Sequence, residues 1–156
     1  MIKVAVDAMG GDYAPAEMVA GAVQAVNANR EISVLLVGQE PAVAEELKKH
    51  NFPAEQIQIV PATEIIETEE PPVNAIRKKK DSSIVVGLKM VKEKKADAFV
   101  SSGSTGAVLV GGQVLVGRSK GVERPPLAPL IPTAKGVSLL IDCGANVDAR
   151  PSHLVQ

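Results

Sequence analysis

Apolar residues fall into short runs, several of them stopped by an acid or a glycine, with longer mixed segments between them. Residues 2–6 (IKVAV) end at Asp7, Gly10-Gly11-Asp12 mark a turn, and Pro15 opens a segment rich in Ala, Val and Met. That order predicts strand, loop and helix. It returns with ISVLLVG at 32–38 as a strand closed by glycine. PAVAEELKKH at 41–50 then reads as a helix with acids early and bases late, and QIQIV at 56–60 as a third strand. Repeated βα units predict a mostly parallel sheet, and the charge order along 41–50 suits a helix dipole.

From Pro61 to Pro72 the chain is acidic and aperiodic, which predicts a long surface connection. SSIVVGLKMVKEKK at 82–95 predicts a helix with serine at its start and lysines at its end. The strand ADAFVSS then runs into Gly103-Ser104-Thr105-Gly106 and the apolar helix AVLVGGQVLVGR at 107–118. After GVERPP at 121–126, APLIPT is a candidate strand and GVSLLID at 136–142 predicts a fully buried one. His153-Leu154-Val155-Gln156 follow Pro151 as the first turn of a helix. No internal repeat, low-complexity linker or domain boundary is evident.

Composition narrows the function classes. With 46% hydrophobic and 22% charged residues and a net charge of -1, the chain is that of a globular protein. Two Phe, one Tyr and no Trp leave no aromatic platform for bases, which argues against nucleic-acid binding. The single cysteine, Cys143, excludes an internal disulfide, and no Cys/His cluster has zinc spacing. A cytosolic protein is expected, with neither an export signal nor an apolar span long enough for a membrane helix.

Three loops at strand ends carry the candidate chemistry. Ser101-Ser102-Gly103-Ser104-Thr105-Gly106 combines glycines, which admit a ligand to the backbone, with hydroxyl donors and a helix start, and so fits phosphate. The alternative is that Ser104 or Thr105 only caps the helix. No Gly-Lys-Ser/Thr follows, so it is not a Walker A loop. Asp7-Ala8-Met9-Gly10-Gly11-Asp12 is either a second binding loop through Asp7, Gly10 and Gly11 or a plain glycine turn; it lacks the G-x-G-x-x-G order of a dinucleotide site. In the third loop, Asp142, Asn146, Asp148 and Arg150 lie just beyond an apolar run, and Arg150 suits a bidentate phosphate contact. A local network in which Arg150 pairs with Asp148 and Asn146 forms a turn explains it equally well. His153 is a candidate base or simply a helix-start residue, and no neighbour of Cys143 points to an acyl-enzyme. Arg77, Lys78, Lys79 and Lys80 form a basic run, either a solvated face or a docking patch for an acidic partner.

Taken together, VDAMGGDYAP at 6–15, IRKKKDSS at 76–83, SSGSTGA at 101–107, ERPPLAPLIPT at 123–133 and IDCGANVDARPSHLVQ at 141–156 resemble the bacterial phosphate acyltransferase family of phospholipid synthesis. The resemblance runs the length of the chain, with Ser152 standing where the family pattern has an acid. It implies a Rossmann-like three-layer α/β sandwich with a mostly parallel sheet, similar to the phosphotransacetylase and isocitrate/isopropylmalate dehydrogenase-like fold. It implies transfer of a fatty acyl group from the thioester of acyl carrier protein to inorganic phosphate, giving acyl phosphate, with no metal and no organic cofactor. The acidic carrier protein gives the run at 77–80 a partner.

The resemblance also implies a homodimer in the cytoplasm, associated peripherally with the inner face of the membrane. Family chains continue well beyond Gln156, so residues 1–156 are expected to be the N-terminal part of a single, here truncated, acyltransferase domain. As a candidate mechanism, the backbone amides and hydroxyls of residues 103–106 hold phosphate, with Ser102 among the binding residues and Arg150 or a lysine neutralising it, while it attacks the thioester carbonyl; Asp142, Asn146, Asp148 and His153 are candidate catalytic groups. The rival readings are a non-catalytic module binding anions or acyl carrier protein, and a dehydrogenase-like module of the same fold.

Overall fold

The computed structural model describes residues 1–144, 148 and 150–155. They fall into two compact units, Met1–Val116 and Gly117–Gln156, a division for which the sequence shows no linker.

The first unit is α/β. Its strands are β1 (Ile2–Asp7), β2 (Ile32–Gly38), β3 (Ile57–Pro61) and β4 (Ala98–Val100), and its helices are α1 (Ala16–Ala28), α2 (Glu40–Leu47), α3 (Pro72–Lys78), α4 (Ser83–Lys92) and α5 (Thr105–Gly111). The sheet order is β3-β2-β1-β4, and every neighbouring pair is parallel. β2 lies inside the sheet with its last five residues buried, which is why ISVLLVG reads as a continuous apolar run. Val34 and Leu36 face a core that includes Val19, Val23 and Val26 of α1. Leu35 and Val37 face the other side, packed with Ala5, Ala62 and Ala96. Each valine or leucine among them, fully buried, contributes about 1.5–3 kcal/mol relative to exposure.

Helix α4 begins as expected. Ser82 is the N-cap, its hydroxyl accepting the Val85 N–H at 3.4 Å, and Ile84, Val85 and Leu88 are buried. A helix at 72–78 was not expected from the sequence. Pro71 and Pro72 start it, and its buried Ala75 and Ile76 join the cluster around Ile84 and Leu88. Helix α5 ends at Gly111 and continues as a π-helical turn over Gly112–Val116, within the segment read as one helix.

The second unit holds an antiparallel pair, β5 (Leu130–Thr133) and β6 (Gly136–Leu139), and the short helix α6 (Pro151–Val155). Here the structure corrects the expected buried strand: all four residues of β6 are exposed, Val137 at 67% and Leu139 at 56%. Its apolar run pairs along one edge with β5, which is itself exposed. Among the described residues, neither strand of the pair has a buried residue.

Candidate functional site

The strand order reverses at β1. The chain passes from β1 to β2 and β3 on one side, then crosses back to place β4 on the other. In open parallel sheets the crevice at the carboxyl ends of the strands flanking such a reversal is where ligands bind. The two loops that leave β1 and β4 there are residues 8–12 and 101–104, the ones singled out for glycines and hydroxyls.

Asp7, at the end of β1, is 1% exposed. Its Oδ1 accepts the Met9 N–H at 3.1 Å, and its Oδ2 accepts the Ser101 hydroxyl at 2.7 Å. The Ser101 oxygen in turn accepts the Gly103 N–H at 3.0 Å. The carboxyl therefore ties one loop to the other from beneath. Gly10 sits where a Cβ would lie 2.4 Å from Asp7 Oδ2 and 2.8 Å from the Gly103 nitrogen, so any side chain there would force the loops apart. Gly11 has φ +104°, a left-handed conformation that glycine adopts without strain.

In the second loop the Ser104 hydroxyl accepts the Ala107 N–H at 3.3 Å, so Ser104, itself buried, caps α5. Ser102 and Thr105 are exposed beside the partly buried Gly103 and Gly106. The structure thus brings Asp7, Gly10, Gly11 and residues 102–106 into one place, with distinct duties. Asp7 and Ser104 hold the frame, while Ser102, Thr105 and the glycine backbone present its surface. Ser101, read from the sequence as part of the phosphate loop, is instead the tie between the loops.

The third predicted loop lies in the second unit. The Asp142 Oδ1 accepts the Leu127 N–H at 2.9 Å, and the Cys143 N–H donates to the Leu127 carbonyl at 2.9 Å, so Asp142 fastens an incoming segment alongside the hairpin. Asn146 lies outside the described residues. Asp148, Arg150 and His153 come together with Arg118, Glu123 and Arg124 around a cavity of about 560 Å³. His153 Nδ1 accepts the Arg150 backbone N–H at 3.2 Å, and its Nε2 lies 3.4 Å from Glu123 Oε2. Both ring nitrogens of His153 are thus engaged.

The basic run divides in the same way. Arg77, Lys78 and Lys80 are exposed on and just beyond α3. Lys79 turns back into the molecule, donating to the Ile65 carbonyl at 2.6 Å and pairing with Glu70, whose pKa that ammonium holds below the ordinary glutamate value. The acidic connection at 62–71 is held at its other end by Asp81, whose Oδ2 accepts the Thr63 hydroxyl at 2.6 Å and the Thr63 N–H at 2.9 Å. Those bonds lower the pKa of Asp81. Cys143 is exposed. Among the described residues no group of three or more His, Cys, Asp or Glu could hold a metal ion, and no helix is long and apolar enough to cross a membrane.

Comparison with known proteins decides the family. The family model described as "Fatty acid synthesis protein" matches residues 2–156. This chain belongs to the fatty acid synthesis protein family. It is 52% identical over 155 residues to the phosphate acyltransferase of Alkaliphilus oremlandii, an alignment covering 99% of this chain and 46% of that protein. It is likewise 52% identical over 156 residues to the phosphate acyltransferase of Syntrophomonas wolfei (99% and 49%), and 46% identical over 155 residues to that of Clostridium tetani (99% and 46%). The chain therefore spans about half the length of the curated relatives it matches. The α/β class with a mostly parallel sheet, expected from the sequence, is what this family member shows in its first unit.

Proposed function

We propose that this chain is part of a phosphate acyltransferase that moves a fatty acyl group from the thioester of acyl carrier protein to inorganic phosphate, releasing acyl phosphate and the carrier thiol. Family membership and the name of its relatives support the activity. The observation that carries the location is the meeting of the two glycine loops at the strand-order reversal.

In this reading both units belong to a single acyltransferase domain. Phosphate rests on the surface formed by Gly11, Ser102, Gly103 and Thr105, where hydroxyls and close backbone donate to its oxygens. Asp7, Ser101 and Ser104 keep that surface rigid through the bonds described above. A held phosphate oxygen attacks the thioester carbonyl, the tetrahedral intermediate collapses, and the carbon–sulfur bond breaks with the thiolate leaving. Phosphate is ionised near neutral pH and a thiolate is a good leaving group, so orientation of the reactants accounts for most of the acceleration. Arg77, Lys78 and Lys80 attract the acidic carrier protein, a role suited to exposed charge because such contacts act on association rate. A homodimer at the inner face of the membrane completes the reading.

In an active polypeptide containing this chain, replacing Ser102 and Thr105 together by alanine is expected to raise the KM for phosphate about a hundredfold, roughly tenfold for each charge-assisted hydrogen bond lost. The KM for acyl carrier protein should stay unchanged. Unaltered phosphate saturation would remove this surface from the site.

A further inference from the structure

The two glycines of the 101–106 loop are required by different neighbours. A Cβ at Gly103 would lie 3.3 Å from Asp7 Oδ2, from Gly10 Cα and from Ser101 Oγ, all within the pair of glycine loops. Gly106 meets something else: a Cβ there would lie 2.7 Å from Cγ of Pro72, at the start of α3. Gly106 is inside α5, where alanine fits the backbone and raises helix propensity, so the missing side chain answers to space and not to backbone angle. Pro72 cannot yield easily, because its ring is closed onto the backbone at the first position of α3. The helix behind it is anchored twice. Ala75 and Ile76 are buried in the cluster that also holds Ala107 of α5, and Lys79 at the far end donates to the Ile65 carbonyl and pairs with Glu70. The loop is therefore held from two sides: Asp7 ties it from beneath through Ser101, and the Pro72 ring lies against the turn that follows Thr105.

We propose that Pro72 is a positioning residue for the phosphate surface, acting through Gly106 to set where Thr105 and the first turn of α5 stand. The inference rests on the placing of phosphate at Gly11, Ser102, Gly103 and Thr105, and adds to it a wall from a helix that contributes nothing to that surface. Its physical basis is contact, which changes steeply with distance. One methyl too many in a packed joint moves backbone, and a gap forfeits dispersion on both of its sides. Hydrogen bonds to a held oxyanion follow such movements closely, and a misplacement of about 1 Å is enough to cost much of a bound reactant's orientation.

The test is a size swap in an active polypeptide containing this chain. Gly106→Ala adds the methyl that Pro72 excludes, and Pro72→Ala removes the Cγ it would meet, leaving a Cβ at 3.5 Å, an ordinary contact distance. Gly106→Ala is expected to raise the KM for phosphate about tenfold, the equivalent of one charge-assisted hydrogen bond, with the KM for acyl carrier protein unchanged. Pro72→Ala, which only opens a gap, should raise it about threefold. The two together should return it to within about twofold of the parent, since each substitution makes room for or fills what the other changes. Val73→Ala, at an exposed neighbour on the same helix, should leave every value unchanged. A second readout is amide exchange at Ala107, whose N–H the Ser104 hydroxyl accepts. Exchange there should quicken in each single variant and recover in the pair, whereas helix propensity alone would make Gly106→Ala slow it. A combined variant no better than Gly106→Ala, or exchange unchanged in both single variants, overturns the proposal. Exchange that quickens and recovers while the KM for phosphate stays at the parent value in every variant, Ser102→Ala with Thr105→Ala included, overturns the placing of phosphate on this surface and the positioning role with it.

Discussion

The two units treat the same kind of apolar strand in opposite ways. In β2 the run from Val34 to Val37 has helices on one side and a second apolar cluster on the other, and its residues are at most 7% exposed. In the hairpin, Leu130, Val137 and Leu139 are all more than half exposed. Equal hydrophobicity therefore does not mean equal contribution to stability, because the favourable term comes from area removed from water. The difference also separates the candidate chemistry. The glycine loops stand on the ends of a packed sheet, whereas the arginine cavity is framed by hydrogen bonds among polar groups.

The largest test of this contrast is a matched pair. Leu36→Ala, at a residue with no exposure, should destabilise the first unit by about 2–5 kcal/mol in urea titration. Leu139→Ala should change stability by less than about 0.5 kcal/mol, as for a surface position. Comparable losses at both sites would mean that the hairpin is as tightly packed as the sheet.

A smaller effect is expected at the joint between the loops. Ser101→Ala removes the hydroxyl that donates to Asp7 and accepts from Gly103. Leaving a buried carboxyl oxygen without its donor should cost about 1–3 kcal/mol. Amide exchange at Gly103 should quicken at the same time, and an unchanged rate there would show that the two loops are not joined through Ser101.

The smallest effect concerns pH. Asp81 has a pKa lowered chiefly by the Thr63 hydroxyl and then by the Thr63 N–H. A carboxyl whose pKa is lower folded than unfolded stabilises the fold above its unfolded value, and that contribution disappears as pH falls through the folded one. Melting temperature should therefore decline on acidification below the ordinary aspartate range, and Asp81→Asn should flatten the decline. An identical slope in the variant would assign the acid sensitivity elsewhere.

Where periodicity and packing agree, the sequence was readable. The strands at 2–6, 32–38 and 56–60 and the helix after Ser82 all formed near their expected places, because each carries both an apolar face and a recognisable end. Helix α3 was hidden. Its buried face consists of Ala75 and Ile76 inside a segment dominated by prolines and charges, too short for a period to show. GVSLLID misled for the opposite reason: an apolar run reports a preference for burial, and only the neighbouring layer decides whether burial occurs.

At the candidate site the glycines and hydroxyls were legible as a group, but their division of labour was not. Whether Asp7 faces a ligand or a serine 94 residues away depends on strand order. Arg118 reads as the end of the helix at 107–118 and Glu123 and Arg124 as part of the turn-rich GVERPP, and their meeting with Arg150 and His153 is a matter of tertiary geometry.

The acidic connection from Ala62 to Pro71 has a consequence for motion. Its backbone is sewn to the start of α4, with Thr63 and Glu64 donating to the Asp81 carbonyl, Asp81 donating to Glu64, and Ser83 donating to the Glu64 carbonyl. To swing outward the segment would have to break these bonds together and release Ser82 and Ser83, both buried. Long irregular segments are commonly the first parts of a protein to open. Residues 63 and 64 are instead a strut, with an opening cost shared with the helix behind them.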